Sequence, residues 1–133
     1  MSQVLEVAAE VRQWAERIAL KYKYPKDLNR LCGISSRKLY RELVKAGLKP
    51  RIVFSFAHAF VTVPDLGVLI DVTATQYGRR PVEVRQAKKI RVGYWKPQRI
   101  FFTEGSFRSW QNNTGWCYCE IVPQVCVFHA EEN

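Results

Sequence analysis

The segment from Cys32 to Gly78 reads CGISSRKLYRELVKAGLKPRIVFSFAHAFVTVPDLGVLIDVTATQYG. It opens with a cysteine at the start of a stretch of helical periodicity, and it continues into alternating stretches that are typical of strands. Cys32, His58 and Asp71 follow one another in this order, and they are the residue types that supply a thiol nucleophile, its base and the group that orients the base. The fold of this segment therefore decides whether the three side chains meet.

Two helices are predicted ahead of the strands. Residues 4–22 carry apolar side chains at helical spacing with charges on the opposite side. The second helix is expected to begin near Cys32, with Asp27 or Asn29 as its cap, and to end at Gly47. Small residues fill its first turn, which would let another element approach the cysteine closely. The positive end of the helix dipole favours a thiolate at this position.

Three strands are predicted over RIVFSF, AHAFVTV and GVLIDV. A turn with Gly67 in the left-handed conformation would join the last two strands and pair Val63 with Val68. In this register one face of the hairpin is wholly aliphatic, whereas the other face carries His58 and Asp71 as diagonal neighbours. The hydrophobic pattern alone thus predicts that the histidine and the aspartate lie within side-chain reach of each other.

The predicted fold class is α+β, with the N-terminal helices packed on an antiparallel β-sheet in a single domain over residues 1–133. The hydrophobic content of 47% and the aromatic content of 13% are those of a folded domain. We expect the second helix to pack on the face that carries His58. Its contacts there would join two helix residues to two strand residues, namely Leu39 and Leu43 to Phe60 and Leu69.

No apolar run approaches the roughly 18 residues of a membrane span. The N-terminal 20 residues are interrupted by charges, unlike a signal peptide. We therefore expect a cytoplasmic protein without a membrane partner, although a dedicated secretion system could read an unmarked terminus. No cofactor and no metal are expected.

Two motifs of the opening segment resemble those of papain-like and transglutaminase-like cysteine hydrolases, above all their compact bacterial and phage-type members. His58-Ala59-Phe60 resembles the His-Ala-aromatic signature of these enzymes, and DVTATQYG at 71–78 resembles their Asp-x-Thr-Ala-x-Gln-aromatic-Gly signature. The resemblance spans about residues 27–78. It implies a papain-like or transglutaminase-like core and a triad in which Cys32 is the nucleophile, His58 the general base and later the acid, and Asp71 its orienter.

The same resemblance implies attack on amide bonds of a protein or peptide substrate through an acyl-enzyme. Hydrolysis of that intermediate would make the chain a peptidase or a glutamine deamidase, whereas transfer to an amine would make it a transglutaminase.

One feature of papain-like enzymes is missing, because no oxyanion-stabilising glutamine stands a few residues before Cys32. The backbone N–H of Cys32 then needs a second donor, for which Asn29 is the candidate. Gln76 is interpreted as structural or as lining the site.

The excess of positive charge is concentrated in residues 79–99, which hold eight basic residues and one acid within a net charge of +9. The alternative to an enzyme is a non-catalytic protein that uses this surface to bind nucleic acid or an acidic protein. Cations that only keep strand edges soluble would give the same pattern. The basic residues that define the predicted surface are Arg79, Arg80, Arg85, Lys88, Lys89 and Arg91.

The C-terminal part of the chain carries two further predictions. Residues 100–116 are aromatic and rich in turn formers, and CYCEIVPQVCVF after them alternates like a final strand pair. A metal site is a weaker interpretation of this region, because its spacing departs from the usual C-x2–4-C pairs and core packing explains the residues equally well. The possible ligands would be Cys117, Cys119, Cys126 and His129.

Overall fold

The computed structural model describes residues 1–116, in which three helices and a five-stranded antiparallel sheet form an α+β fold. The predicted fold class is thereby confirmed. The helices are α1 (Ser2–Tyr22), α2 (Cys32–Lys45) and α3 (Glu104–Thr114). The strands are β1 (Arg51–Ser55), β2 (His58–Val63), β3 (Val68–Asp71), β4 (Glu83–Gln86) and β5 (Arg99–Phe101).

The strands lie in the order β4-β3-β2-β1-β5, and β2 and β3 form the predicted hairpin. Val63 pairs with Val68 and Val61 pairs with Ile70, which confirms the predicted register. Gly67 ends a short 3-10 turn with a φ of 65°. Glycine adopts this left-handed conformation without steric cost, so the turn fixes the register.

The aliphatic face of the sheet packs against α1 and α2, and the core there includes Leu39, Leu43, Val61 and Ile70. The expectation that α2 packs on the face with Phe60 and Leu69 is wrong. That second face is covered by a chain segment whose main core residue is Trp95. More apolar surface is removed from water when the two amphipathic helices cover the wholly aliphatic face, which explains why α1 and α2 pack on that face.

The cap of α2 also differs from the prediction. Leu31 precedes the helix without a side-chain cap, and Asp27 instead accepts a hydrogen bond from the backbone N–H of Asn29 at 3.0 Å. The two polar residues therefore stabilise the turn before the helix rather than its first turn.

Residues 104–114, which the composition indicated as turn-rich, form α3. Thr103 caps this helix by accepting a hydrogen bond from the backbone N–H of Ser106 at 3.0 Å. Phe107 and Trp110, three residues apart, pack together against Phe101. Tertiary packing of this aromatic stripe outweighs the weak helix propensity of the segment.

Within residues 1–116, none of the helices combines the length and the apolar character that crossing a membrane requires. The predicted final strand pair lies outside the described residues, as do the possible metal ligands Cys117, Cys119, Cys126 and His129.

Candidate active site

His58 and Asp71 meet where β2 begins and β3 ends. His58 Nε2 lies 2.6 Å from Asp71 Oδ2, and both side chains are buried. The predicted juxtaposition of these two side chains is confirmed. A tight turn at Phe56 and Ala57, with φ values of 44° and 60°, leads directly into His58. Left-handed backbone at non-glycine residues costs about 1–2 kcal/mol each, and this strained turn sets the start of β2.

Asp71 is held by two residues besides the histidine. Its Oδ1 accepts hydrogen bonds from the backbone N–H of Thr73 at 2.9 Å and from the Thr73 hydroxyl at 3.3 Å. Its Oδ2 also accepts from the indole Nε1 of Trp95 at 2.8 Å. Burial by itself would raise the pKa of Asp71, but His58, through its charge and hydrogen bond, and then Trp95 and Thr73 lower it. The carboxylate is thus kept ionised without contact with water.

The histidine is held in its charged form. Burial by itself would lower the pKa of His58, but the charge and hydrogen bond of Asp71 oppose it, and a hydrogen bond and the charge of Cys32 add to that effect. Together they raise the pKa of His58 to about 10. Because Nε2 is engaged by Asp71, Nδ1 is the nitrogen available to Cys32. The structure thus brings the predicted histidine and aspartate together, and Cys32 lies near enough to His58 to influence its pKa.

Cys32 is the first residue of α2, and only 3% of it is exposed. The loop before it is tied to the segment after β3, because the Thr75 hydroxyl donates to the Asp27 carbonyl at 2.7 Å. The buried Arg12 of α1 donates to the same Thr75 hydroxyl at 2.9 Å and to the Val72 carbonyl at 3.0 Å. Two helices and the end of β3 thus fix the position of the cysteine.

Gln76 lies at the nitrogen of His58 that faces away from Asp71. Its Nε2 is 3.3 Å from His58 Nδ1 and 3.3 Å from the Thr73 hydroxyl. The neutral imidazole can accept this hydrogen bond, whereas the charged ring donates from Nδ1 and would favour the amide oxygen of Gln76 instead. Gln76 therefore lies against His58 on the side of the imidazole that faces away from Asp71.

Aromatic rings form the wall of the site beside His58. The ring of Tyr77 contacts the imidazole edge-on at 4.9 Å, and Tyr94 stacks on Tyr77 at 4.1 Å with nearly parallel planes. Arg79 donates a hydrogen bond to the Tyr94 hydroxyl, and its guanidinium also lies over the Trp95 ring at 4.5 Å. The wall excludes water from the buried charges on this side.

Asn29, the predicted second oxyanion donor, is exposed in the turn before α2. The buried carboxamide of Gln111, which the sequence analysis did not single out, lies beside Gly33, the residue after the cysteine. A Cβ on Gly33 would meet Gln111 Nε2 at 2.9 Å and the Trp116 ring at 3.4 Å. The expected close approach of another element to the first turn of α2 is confirmed, and that element is the end of α3.

The residues of the predicted basic surface separate into two groups. Four of its six residues lie along a cavity of about 440 Å3 beside β4, namely Arg79, Arg85, Lys89 and Arg91. Arg80 and Lys88 are exposed and do not line it. Trp95 lines the same cavity, so that the cavity and the His58–Asp71 pair share one side chain.

The role of Trp95 was not predicted from the sequence, because nothing in the local pattern pairs it with an aspartate 24 positions earlier. Comparisons of the chain with known proteins gave no matching family model, no similar curated protein and no similar solved structure.

Proposed function

We propose that the chain is a cysteine-dependent hydrolase or acyl transferase that acts on amide bonds of a protein or peptide substrate. The observation that carries the proposal is the buried 2.6 Å contact between His58 and Asp71, together with the position of Cys32 near enough to the same imidazole to raise its pKa. A histidine held between a carboxylate and a thiol is the arrangement that thiol nucleophiles use. A helix that begins at Cys32, precedes the antiparallel sheet in the chain and packs on it also supports a papain-like or transglutaminase-like core.

The raised pKa of His58 assigns the proton at each step. In the proposed reaction Cys32 attacks the carbonyl carbon of the amide as a thiolate, while His58 carries the proton. As the C–N bond breaks, His58 Nδ1 gives its proton to the leaving nitrogen, and an acyl thioester remains on Cys32. Water or an amine then loses a proton to Nδ1 and releases the acyl group, which restores the thiolate and the charged ring.

The oxyanion that forms in the attack needs hydrogen-bond donors at the start of α2. The backbone N–H of Cys32 is one donor, since the first N–H groups of a helix have no partner within it. Gln76 is a better candidate for the second donor than Asn29, because Gln76 Nε2 lies 3.3 Å from Nδ1 of His58. Loss of one such donor typically lowers the rate by about 10²–10³.

A binding protein without catalysis is the second candidate, and the observation in its favour is the burial of Cys32 at 3% exposure. A substrate can reach this sulfur only if side chains packed around the start of α2 move aside. The two candidates are distinguished by trapping the acyl-enzyme.

The full chain would be incubated with fluorescent casein and with a glutamine peptide, with and without dansylcadaverine. We expect release of fragments, of ammonia or of dansylated product, and an acyl adduct on Cys32 in the mass spectrum. Cys32→Ser should lose all of these, whereas Cys119→Ser, which removes another of the four cysteines, should retain them. No turnover and no adduct with any of these substrates would argue for the binding protein.

A further inference from the structure

A cavity of about 440 Å3 runs along β4, on the side of the sheet covered by Trp95. Its volume is within the range of ligand sites, about 300–1,000 Å3. Its lining combines cations with apolar side chains and one amide: Arg79, Val84, Arg85, Gln86, Lys89, Ile90, Arg91, Val92 and Trp95. We propose that this cavity binds an acidic segment of the protein substrate, a proposal that rests on the proposed function.

Within residues 1–116, the charge of the lining is largely uncompensated. The buried Glu83 is the only acid between residues 79 and 103, and it pairs with Arg85 at 3.0 Å and accepts from the backbone N–H of Arg80 at 3.2 Å. Lys89 and Arg91 are exposed at the rim of the cavity. A partner that brings carboxylates to these cations would gain charge-assisted hydrogen bonds, and the field would speed its arrival.

The apolar lining and the strand favour a peptide. Val84, Ile90 and Val92 offer contacts for aliphatic side chains between the cations. Three of the four residues of β4 line the cavity, and β4 is one of the two edge strands of the described sheet. An edge strand can pair with an extended segment through its backbone, while neighbouring pockets select alternate side chains.

The aromatic side chains in this region are poorly placed to stack on nucleic-acid bases. Trp95 is 3% exposed, and its indole is committed to Asp71. Tyr94 stacks on Tyr77 at 4.1 Å, while Arg79 also lies over its ring at 5.4 Å. Binding of single strands relies on exposed ring faces as well as cations, so the observations favour the peptide.

The cavity adjoins the candidate active site through two side chains. Trp95 lines the cavity and donates to Asp71, and Arg79 lines the cavity and donates to Tyr94, whose ring lies 6.3 Å from that of His58. An acidic segment held here would leave the neighbouring residues of the same substrate beside the imidazole. Recognition of that segment would explain how a small chain selects one protein substrate.

The test is fluorescence anisotropy with the full chain carrying Cys32→Ser, which removes turnover. The probes are a labelled peptide of alternating glutamate and leucine, its lysine–leucine counterpart and an oligothymidylate with an equal number of negative charges. The cavity variant is Arg85→Glu with Lys89→Glu. Its matched control is Lys21→Glu with Lys45→Glu, which changes the net charge equally at exposed residues of α1 and α2.

We expect the acidic peptide to bind in a salt-dependent manner and to lose at least about tenfold in affinity, or 1.4 kcal/mol, in the cavity variant alone. Equal losses in both variants, no binding by the parent chain, or tighter binding of oligothymidylate with the same sensitivity would each overturn the proposal. Because the measurement needs no reactive thiol, it is independent of the acyl-enzyme experiment. If the peptide binds as expected but the parent chain forms no acyl adduct on Cys32, the proposed function is contradicted, and so is the role of the acidic segment as part of a substrate.

Discussion

His58 Nε2 and Asp71 Oδ2 lie 2.6 Å apart, with side-chain exposures of 0% and 1%, so that a charged pair is enclosed where two adjacent strands end. Two opposite charges can stay ionised in such a place only if each stabilises the other, because burial of either one alone is costly.

Replacing Asp71 with asparagine should therefore lower the pKa of His58 from about 10 to below its ordinary value of 6.5, since burial then dominates. NMR titration of the imidazole protons measures this, and His129→Gln identifies the signal because the chain has two histidines. Trp95→Phe is the control, since it removes one hydrogen bond to Asp71 and leaves the charge, so the pKa of His58 should stay above 6.5. A pKa that remains near 10 in Asp71→Asn would contradict the assigned cause.

The stability of the fold should depend on pH through this pair. The pKa of His58 is raised on folding, so its contribution is complete below about pH 6.5 and is lost as the pH rises toward 10. The pKa of Asp71 is lowered, so its contribution is present above about pH 3.8 and is lost as the pH falls. Urea unfolding of the parent chain and of His58→Gln/Asp71→Asn should show a difference on the order of a few kcal/mol that decreases from pH 6.5 to 10. A difference that is constant over this range would mean that His58 is neutral in the fold.

The close approach of α3 to α2 can be tested at Gly33. A Cβ at this position would lie 2.9 Å from Gln111 Nε2, and Gln111 is buried. In a helix alanine is favoured over glycine by about 1 kcal/mol, so Gly33→Ala combines a gain in propensity with a clash. The effect of Gly33→Ala on the free energy of unfolding should be more stabilising in the Gln111→Ala background than in the parent chain, by about 0.5–3 kcal/mol. Additive effects in this double-mutant cycle would show that the two residues are not in contact.

Substitutions in the turn before His58 should increase the stability of the fold. Phe56 and Ala57 adopt left-handed conformations that asparagine and glycine tolerate better. Phe56→Asn with Ala57→Gly should raise the free energy of unfolding by about 1 kcal/mol, measured in urea. The control introduces asparagine and glycine into the turn between β2 and β3, as Asp65→Asn with Leu66→Gly. The free energy of unfolding should not rise there, because the left-handed position of that turn is already Gly67. Destabilisation by the first variant would indicate that the exposed Phe56 ring, which lies against Gly93, contributes more than the strain costs.

The hairpin could be predicted from the sequence because its information is local. The glycine of the Pro64–Gly67 turn and the alternation on either side admit one register, and that register places His58 and Asp71 on one face. The class of the fold followed from the change of period near residue 50. Patterns of this kind depend on residues that are close together in the sequence, so they can be predicted without knowing the rest of the fold.

Long-range choices could not be predicted in the same way. Which face of the sheet α2 covers depends on the total apolar area buried. The helical pattern shows that Leu39 lies on the apolar side of α2, but it does not show which face of the sheet that side contacts. The partners of the site come from distant segments: Trp95 approaches Asp71, and Gln111 approaches Gly33. Indole and carboxamide groups recur throughout sequences, so neither residue type carries a signal by itself.

The most direct test of the central claim is the reactivity of Cys32. Each of the four cysteines would be followed by mass spectrometry during reaction with iodoacetamide at about pH 6.5, where an ordinary thiol is almost entirely protonated. We predict that Cys32 alone is modified despite its burial, that His58→Ala abolishes this selectivity, and that all four cysteines react in the urea-unfolded chain. Equal modification of the four in the folded chain, or a Cys32 that does not react, would contradict the triad.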